Sequence, residues 1–288
     1  MLFLLQNLGL TSLYIGNIFQ LWPLAIVAVG ISVLSLTGRA SLLANVLVGI
    51  IATILIFVAV TREYGLYVSG SEKQGETVAS RTVDISEDIE ELKLEIKAGA
   101  NSIDLSPAVG KTTLVQAELS GDKRFSLAEK VQRDGSVQHV TFETNSKGPI
   151  GFLTGQDSTL DVKINKLVPV ALDIDAGVSS IDADLSDLRV KSLTFDGGVS
   201  NAEFTFGDRE PRVNVDIDAG VSNIELRIPA GTGLRVVHDG GLSATDFAGA
   251  EKVDDNSYET RGFADATRQI TVKSDGGLSS FTITRDDR

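Results

Sequence analysis

A five-residue motif recurs along the second half of the chain and constrains the fold more than any other feature. In its clearest copies an aspartate and one small residue precede a glycine, and Val-Ser or Leu-Ser follows that glycine. Successive copies lie 21, 22 and 21 residues apart, counted between Gly177, Gly198, Gly220 and Gly241. A fixed period of this length is typical of a solenoid, in which each repeat forms one coil that stacks on its neighbours.

The motif predicts a corner in each coil. Its glycines are Gly99, Gly177, Gly198, Gly220, Gly241 and Gly277. Its aspartates are Asp175, Asp196, Asp218, Asp239 and Asp275. We expect each glycine to adopt a positive φ, because a residue without a Cβ does so at no steric cost.

Hydrophobic residues alternate with polar ones on both sides of each corner. Leu172 and Ile174 precede Gly177, and Ile181 and Ala183 follow it. This period of two predicts a strand, a tight turn and a second strand with one face buried.

The same register makes a specific prediction about neighbouring coils. Phe204 and Leu226 each follow an equivalent Ser-Asn pair by three residues, so they should stack inside the solenoid. The chain is therefore predicted to be all-β over residues 83–288, as a single β-solenoid.

Stacking would place successive corner aspartates about 4.8 Å apart. The structural interpretation is that each carboxylate accepts backbone N–H groups of its own turn, as in an Asx-turn. The alternative is a row of calcium sites, because carboxylate oxygens suit that ion. The corners lack the Gly-Gly-x-Gly-x-Asp pattern of calcium-binding β-rolls, which favours the structural interpretation.

The first 60 residues differ sharply from the rest, since Arg39 is their only charged residue. Residues 42–60 form an apolar run long enough to cross a bilayer as a helix, and residues 18–36 form a second one. We therefore expect an N-terminal transmembrane α-helical hairpin within residues 1–60, followed by a linker over 61–82. In a multi-pass protein of the cell membrane, the positive-inside rule and Arg39 favour an acidic domain outside the cytoplasm. Arg62 and Lys73 favour the opposite orientation, so the sequence leaves both open.

The remaining composition limits the classes of partner. The net charge is −13, and this acidity argues against binding to nucleic acid. The chain has no cysteine, which excludes disulfides and thiolate metal sites. The two histidines, His139 and His238, lie in no catalytic motif, and His238 aligns with the inward residues of the coils. No cofactor is expected.

Two segments depart from the repeat. The spacing from Gly241 to Gly277 is 36 residues, which predicts an insertion over 248–268. Residues 126–130 are charged and suggest a short helix.

Two stretches resemble known bacterial families. The string Phe19-Gln20-Leu21-Trp22-Pro23-Leu24, followed by a second apolar segment, resembles the membrane region of LiaI/LiaF envelope-stress proteins. The segments Leu160–Ile164 and Val168–Val170 and the glycine corners are similar to LiaF-like C-terminal domains and to toastrack adhesin-type β-solenoids.

The resemblance implies a regulator that restrains a sensor histidine kinase or another membrane protein, without catalytic residues of its own. We therefore expect a non-enzymatic, membrane-anchored regulator of cell-envelope stress signalling. The alternative is a structural or adhesive surface module with no signalling role.

Overall fold

The structure is a computed structural model, and it describes residues 76–86, 88–146, 158–240, 243–247, 249–277 and 279–286. The predicted hairpin of residues 18–36 and 42–60 lies outside these ranges, as does Gly241. Within the described ranges, no helix has the length and apolar character that a membrane span requires.

The described residues contain sixteen strands and one short 3-10 helix, joined by loops. The strands are β1 Thr77–Asp84, β2 Glu91–Ala98, β3 Ser102–Pro107, β4 Thr113–Ser120, β5 Phe125–Asp134, β6 Val137–Ser146, β7 Thr159–Ile164, β8 Val170–Leu185, β9 Val190–Phe206, β10 Arg212–Pro229, β11 Gly233–Gly240, β12 Ser243–Phe247, β13 Ala250–Lys252, β14 Ser257–Thr260, β15 Gln269–Gly276 and β16 Ser279–Asp286. The 3-10 helix is Phe263–Asp265. Strands begin at Thr77, earlier than the predicted domain boundary at 83, and the segment predicted to be helical lies in β5.

The strands form two ladders that share β8, β9 and β10, because each of these long strands passes around a corner. Before the corner the order is β5-β6-β2-β8-β9-β10-β15-β11-β14-β13. After the corner it is β1-β4-β7-β3-β8-β9-β10-β16-β12. All pairings from β6 and β7 through β11 and β12 are parallel, as expected for stacked coils.

The order of the coils in space differs from their order in sequence. β15 and β16 pair directly with β10, and β11 and β12 lie beyond them. The first copy of the motif is not at the end of the stack either, because β6 and β7 pair outside β2 and β3. The predicted insertion contains β13 and β14, and β14 pairs with the outer edge of β11. These strands cover that edge, which would otherwise leave backbone groups unpaired.

Inward side chains form continuous rows along the stack. One row passes through Ala183, Phe204, Leu226 and Ile283, which are opposite one another on successive strands. All four are buried, with Phe204 and Leu226 each 0% exposed. The predicted stacking of Phe204 on Leu226 is therefore confirmed.

Large side chains in the coil formed by β9 lie next to small residues, so that together they fill the interior. The rings of Phe195 and Phe204 pack against each other at an interplanar angle of 60°, with centroids 5.7 Å apart. A Cβ added at Gly197 would lie 2.5 Å from Cζ of Phe195, so the ring fills the space of that missing side chain. The neighbouring coil places the smaller Ala183 opposite Phe204. This complementarity keeps the interior closely packed.

The corner shifts the alternation by one residue. In β8, Ala176 is the last buried residue before the corner, and Ile181 is the first after it. Buried residues have even numbers before the corner and odd numbers after it. Because the alternation shifts in this way, hydrophobic side chains point inward on both sides of the corner. In β8 the intervening residues remain extended and are exposed or half-buried, so this corner adds a short strip to the exposed surface.

Candidate functional site at the corner of the coils

Close stacking of the backbone requires glycine at three of the corners. A Cβ added at Gly177 would lie 2.6 Å from the carbonyl oxygen of Gly99, and one at Gly198 would lie 2.6 Å from that of Gly177. The corresponding distance from Gly220 to the oxygen of Gly198 is 2.5 Å. These distances are too short for any Cβ, and the contacted atoms belong to backbone that cannot rotate away.

The prediction of positive φ at these corners is wrong for every described member. Gly99, Gly177, Gly198, Gly220 and Gly277 are absent from the glycines with positive φ, which occur in loops such as the one at Gly135. At Gly177, Gly198 and Gly220 the chain continues through the corner as extended strand, so left-handed backbone is not needed there.

The corner aspartates form an exposed row along the stack. The register pairs Asp175 with Asp196, Asp196 with Asp218, Asp218 with Asp275, and Asp275 with Asp239. In the part of the chain that the structure describes, none of these carboxylates has an ion pair or a side-chain hydrogen bond. Like charges directly opposite one another on neighbouring strands are destabilising.

The Asx-turn interpretation of this row is therefore wrong. Such bonds occur in the loops, as where Oδ1 of Asp184 accepts the backbone N–H of Ser186 at 3.1 Å. Similar bonds form at Asp122 and Asp254. The corner backbone is extended and directs its N–H groups to the neighbouring coils, so the aspartates have no local donor.

Exposed valines form a second row on the other side of the glycines. Val178 pairs with Val199, and Val199 pairs with Val221. They are 55%, 51% and 53% exposed, so about half of each side chain faces water. This row was not predicted, although a valine follows the glycine in three successive copies of the motif.

Short polar side chains lie beside the valines. Oγ of Ser179 is 3.3 Å from Oγ of Ser200, and Nδ2 of Asn223 donates to Oδ1 of Asn201 at 2.9 Å. These neutral contacts continue the repeat without adding charge. The corner surface thus consists of parallel rows of aspartate, glycine, valine and short polar residues.

A further acidic row crosses the outer face of the second ladder. Asp104 lies opposite both Asp161 and Asp182, and the row continues to Glu203 and Glu225. Burial raises the pKa of Asp104, and the charges of Asp161 and Asp182 raise it further. Arg227 pairs with Glu203 at 3.2 Å and Glu225 at 3.0 Å, which compensates one end of the row.

The calcium alternative requires several carboxylates to converge on one ion. Among the residues that the structure describes, no group of three or more histidine, aspartate or glutamate side chains is placed to hold a metal ion. The calcium alternative therefore gains no support from a ligand cluster.

His139 lies on the outer face of the first ladder, opposite Lys93. Glu95, on the same strand as Lys93, receives a hydrogen bond from Oγ1 of Thr141 at 2.8 Å and is 2.9 Å from Nζ of Lys97. The hydrogen bonds from Lys97 and Thr141 lower the pKa of Glu95. That carboxylate is thereby held ionised and already paired.

His238 occupies the inward row at the far end of the stack, as its sequence alignment predicted. Its Nδ1 is 3.3 Å from Oγ of buried Ser274, and its ring packs near Phe247 and Phe281. Nε2 is buried and has no hydrogen-bond partner among the described residues. Burial lowers the pKa of His238, although the charges of Asp239 and Asp275 oppose this effect.

We expect His238 to make the folded domain less stable in mild acid. Its pKa is about 6.5 when unfolded and lower when folded, so its full contribution is present above pH 6.5. Stability should fall as the pH decreases from there towards the folded pKa, because the unfolded chain binds the proton first. Chemical denaturation between about pH 7.5 and 5.5 checks this, with His238→Gln expected to flatten the profile. The matched control is His139→Gln, and an unchanged slope in His238→Gln contradicts the assignment.

The stacked coils with their glycine corners match a known family. The family model described as the N-terminal domain of toast_rack, DUF2154, matches residues 69–227. The chain belongs to the toast_rack family. The match ends within β10, whereas the toast_rack ladders of this chain continue through β15, β16, β11 and β12.

This chain is similar to solved structures of candidate adhesion proteins. The crystal structure of a candidate cell adhesion protein from Clostridium sporogenes ATCC 15579 has 18% identity and a TM-score of 0.64, covering 72% of this chain and 99% of that one. A candidate adhesin from Bacteroides fragilis NCTC 9343 has 9% identity and a TM-score of 0.28, covering 74% of this chain and 98% of that one. The first similarity establishes the fold. No curated protein matches the sequence.

Proposed function

We propose that this chain is a non-enzymatic, membrane-anchored regulator of cell-envelope stress signalling that acts by binding a membrane partner, such as a sensor histidine kinase. The observation that carries the proposal is the corner surface, where a row of unpaired carboxylates runs beside a row of exposed valines. Neither feature stabilises the isolated domain, because the neighbouring carboxylates repel one another and the exposed halves of the valines are not buried. Local violations of stability rules of this kind are expected where a protein binds something.

The stack suits a binding role for a second reason. Its parallel ladders and continuous buried rows hold the corner residues at fixed spacing, so a partner meets a preorganised surface. Preorganisation reduces the entropy that binding would otherwise cost. The titratable groups of the two ladders offer no nucleophile activated by a neighbouring base among the described residues, and we propose no hydrolytic or transfer activity.

Anchoring is proposed from the sequence of residues 1–60. Its two apolar runs have the length of membrane spans, and Arg39 favours a cytoplasmic turn between them. The folded domain would then lie outside the membrane at the end of a short connection. From there it could reach the extracytoplasmic part of another membrane protein.

Adhesion is the second candidate function. It is favoured by the structural similarity to the Clostridium sporogenes protein, whose description refers to cell adhesion. An adhesive module would use the same rigid surface without changing a signalling output.

A deletion separates the two functions. Cells that produce residues 1–76 without the strands should show a changed envelope-stress reporter output and unchanged adhesion if the chain is a regulator. Loss of adhesion with a silent reporter supports the adhesive function instead. The purified full chain should show no turnover of esters, phosphoesters or glycosides in either case.

A helix replacement tests the role of the membrane segment. Exchanging residues 42–60 for an unrelated apolar helix keeps the anchor but removes polar groups such as Asn45, through which membrane helices recognise one another. A changed stress output places recognition in the membrane. An unchanged output assigns it to the stacked coils.

A further inference from the structure

We propose that the corner surface binds a basic amphipathic helix of a partner protein, which lies along the stack. This inference rests on the proposed binding function and specifies its surface and its ligand class. The binding trough is defined as the row of Asp175, Asp196, Asp218, Asp275 and Asp239, the exposed corner glycines, and the row of Val178, Val199 and Val221.

The shape of the trough follows from the glycines. Gly177, Gly198 and Gly220 separate the aspartates from the valines and are exposed to solvent. They place no side chain between the two rows, so a ligand can approach the backbone closely there. The aspartate and valine side chains therefore flank a strip of exposed backbone.

The charge of the trough determines the sign of its partner. Five exposed carboxylates follow one another on adjacent strands, and none is paired among the described residues. Lys97 lies opposite Asp175 but is 2.9 Å from Glu95, with which it forms an ion pair. Lysine or arginine side chains from outside would relieve the repulsion within the row.

The exposed valines indicate that the same partner also carries apolar side chains, which would pack against them. Single exposed hydrophobic residues are common, but a continuous row beside a charged row defines an amphipathic stripe. A ligand that places cations on the aspartates would bring its adjacent side chains over the valines. Aliphatic residues at those positions would bury the exposed halves of the valine side chains.

The spacing of the rows favours a helix over an extended strand. Coils repeat about every 4.8 Å, so five aspartates span roughly 19 Å. Residues on one face of a helix recur about every 5–6 Å, whereas same-face residues of a strand recur about every 6.7 Å. The spacing on a helix face differs less from the spacing of the coils, and long flexible lysine side chains can compensate for this difference along the whole row. An added strand would also find the corner backbone already paired between coils.

The test uses a synthetic peptide and the full chain in uncharged detergent. The helical peptide has about 18 residues on an alanine background, with lysines at i, i+4 and i+7 and leucines on the adjacent stripe. A second peptide of the same composition alternates lysine and leucine, which favours a strand. Fluorescence anisotropy of each labelled peptide reports binding.

We expect the helical peptide to bind and the alternating peptide to bind at least about tenfold more weakly. The double variant Asp196→Asn with Asp218→Asn should weaken binding roughly tenfold at low salt, and Val199→Thr about threefold. The matched controls are Asp255→Asn and Val253→Thr, which make the same chemical changes on exposed residues between β13 and β14. They should leave binding unchanged, and thermal melts confirm that all variants remain folded.

Three outcomes overturn the inference. The first is that the helical peptide fails to bind at millimolar concentration. The second is that the trough variants bind it as tightly as the parent does, and the third is that the alternating peptide binds as tightly as the helical one. Such a result leaves the proposed function standing if the deletion still changes the stress reporter. If the deletion also has no effect, the proposed function fails independently of the trough.

Discussion

Replacing Phe204 with alanine is expected to lower the free energy of unfolding by about 3–5 kcal/mol. The ring is 0% exposed, faces Phe195 across the coil, and lies between Ala183 and Leu226 on the neighbouring strands. Parallel ladders on both sides hold these neighbours in place, so the structure cannot collapse into the space. Equilibrium denaturation monitored by circular dichroism measures the loss.

Two substitutions control for this prediction. Phe204→Leu preserves most of the volume and should cost less than about 1.5 kcal/mol. Val199→Ala, on the surface of the same strand, should change stability by about 0.5 kcal/mol or less. If Phe204→Ala were as mild as Val199→Ala, the inward register of β9 would be incorrect.

The register within each coil could be predicted from the sequence because two signals agree. The period of two identifies the buried face, and the glycine motif identifies where that period shifts. Together they correctly paired Phe204 with Leu226. A slip by one residue would have exposed every hydrophobic side chain of the strand, which makes such a register strongly specified.

The order of the last coils could not be predicted in the same way. Asp239 and Asp275 belong to identical Asp-Gly-Gly-Leu-Ser motifs, so either coil could pair with β10 by chemistry alone. The structure pairs Asp218 with Asp275, and the coil of Asp239 lies outside it. In the structure β14 pairs with the outer side of β11 and β13 pairs with β14, and neither strand carries a repeat signal from which this order could be predicted.

The corner surface was only partly predictable, since its aspartates and glycines were identified without their roles and its valines were missed. A recurring glycine is compatible both with positive φ and with close approach of another backbone, and sequence alone does not separate them. The aspartates were assigned to Asx-turns because each corner was expected to bend tightly, as such a turn requires. The valines were not predicted to form a row because they lie where the alternation of buried and exposed residues shifts.

Gly198→Ala is expected to destabilise the stack by about 1–3 kcal/mol, since it adds an atom where none fits. Its Cβ would lie 2.6 Å from the carbonyl oxygen of Gly177. Relief requires the two coils to separate, which weakens the ladder hydrogen bonds beside the corner. Thermal and chemical denaturation of the purified chain measure the effect.

Gly99→Ala is the matched control, because Gly99 occupies the equivalent position of the first motif. An added Cβ there meets no described atom within 4 Å, and its φ lies outside the left-handed region. We expect this variant to be neutral or more stable by about 0.4–1 kcal/mol, because alanine restricts the unfolded chain. A requirement for positive φ would make both variants unstable, whereas close stacking of the coils destabilises Gly198→Ala alone. Equal losses in the two variants would therefore contradict close stacking as the reason for glycine at the corner.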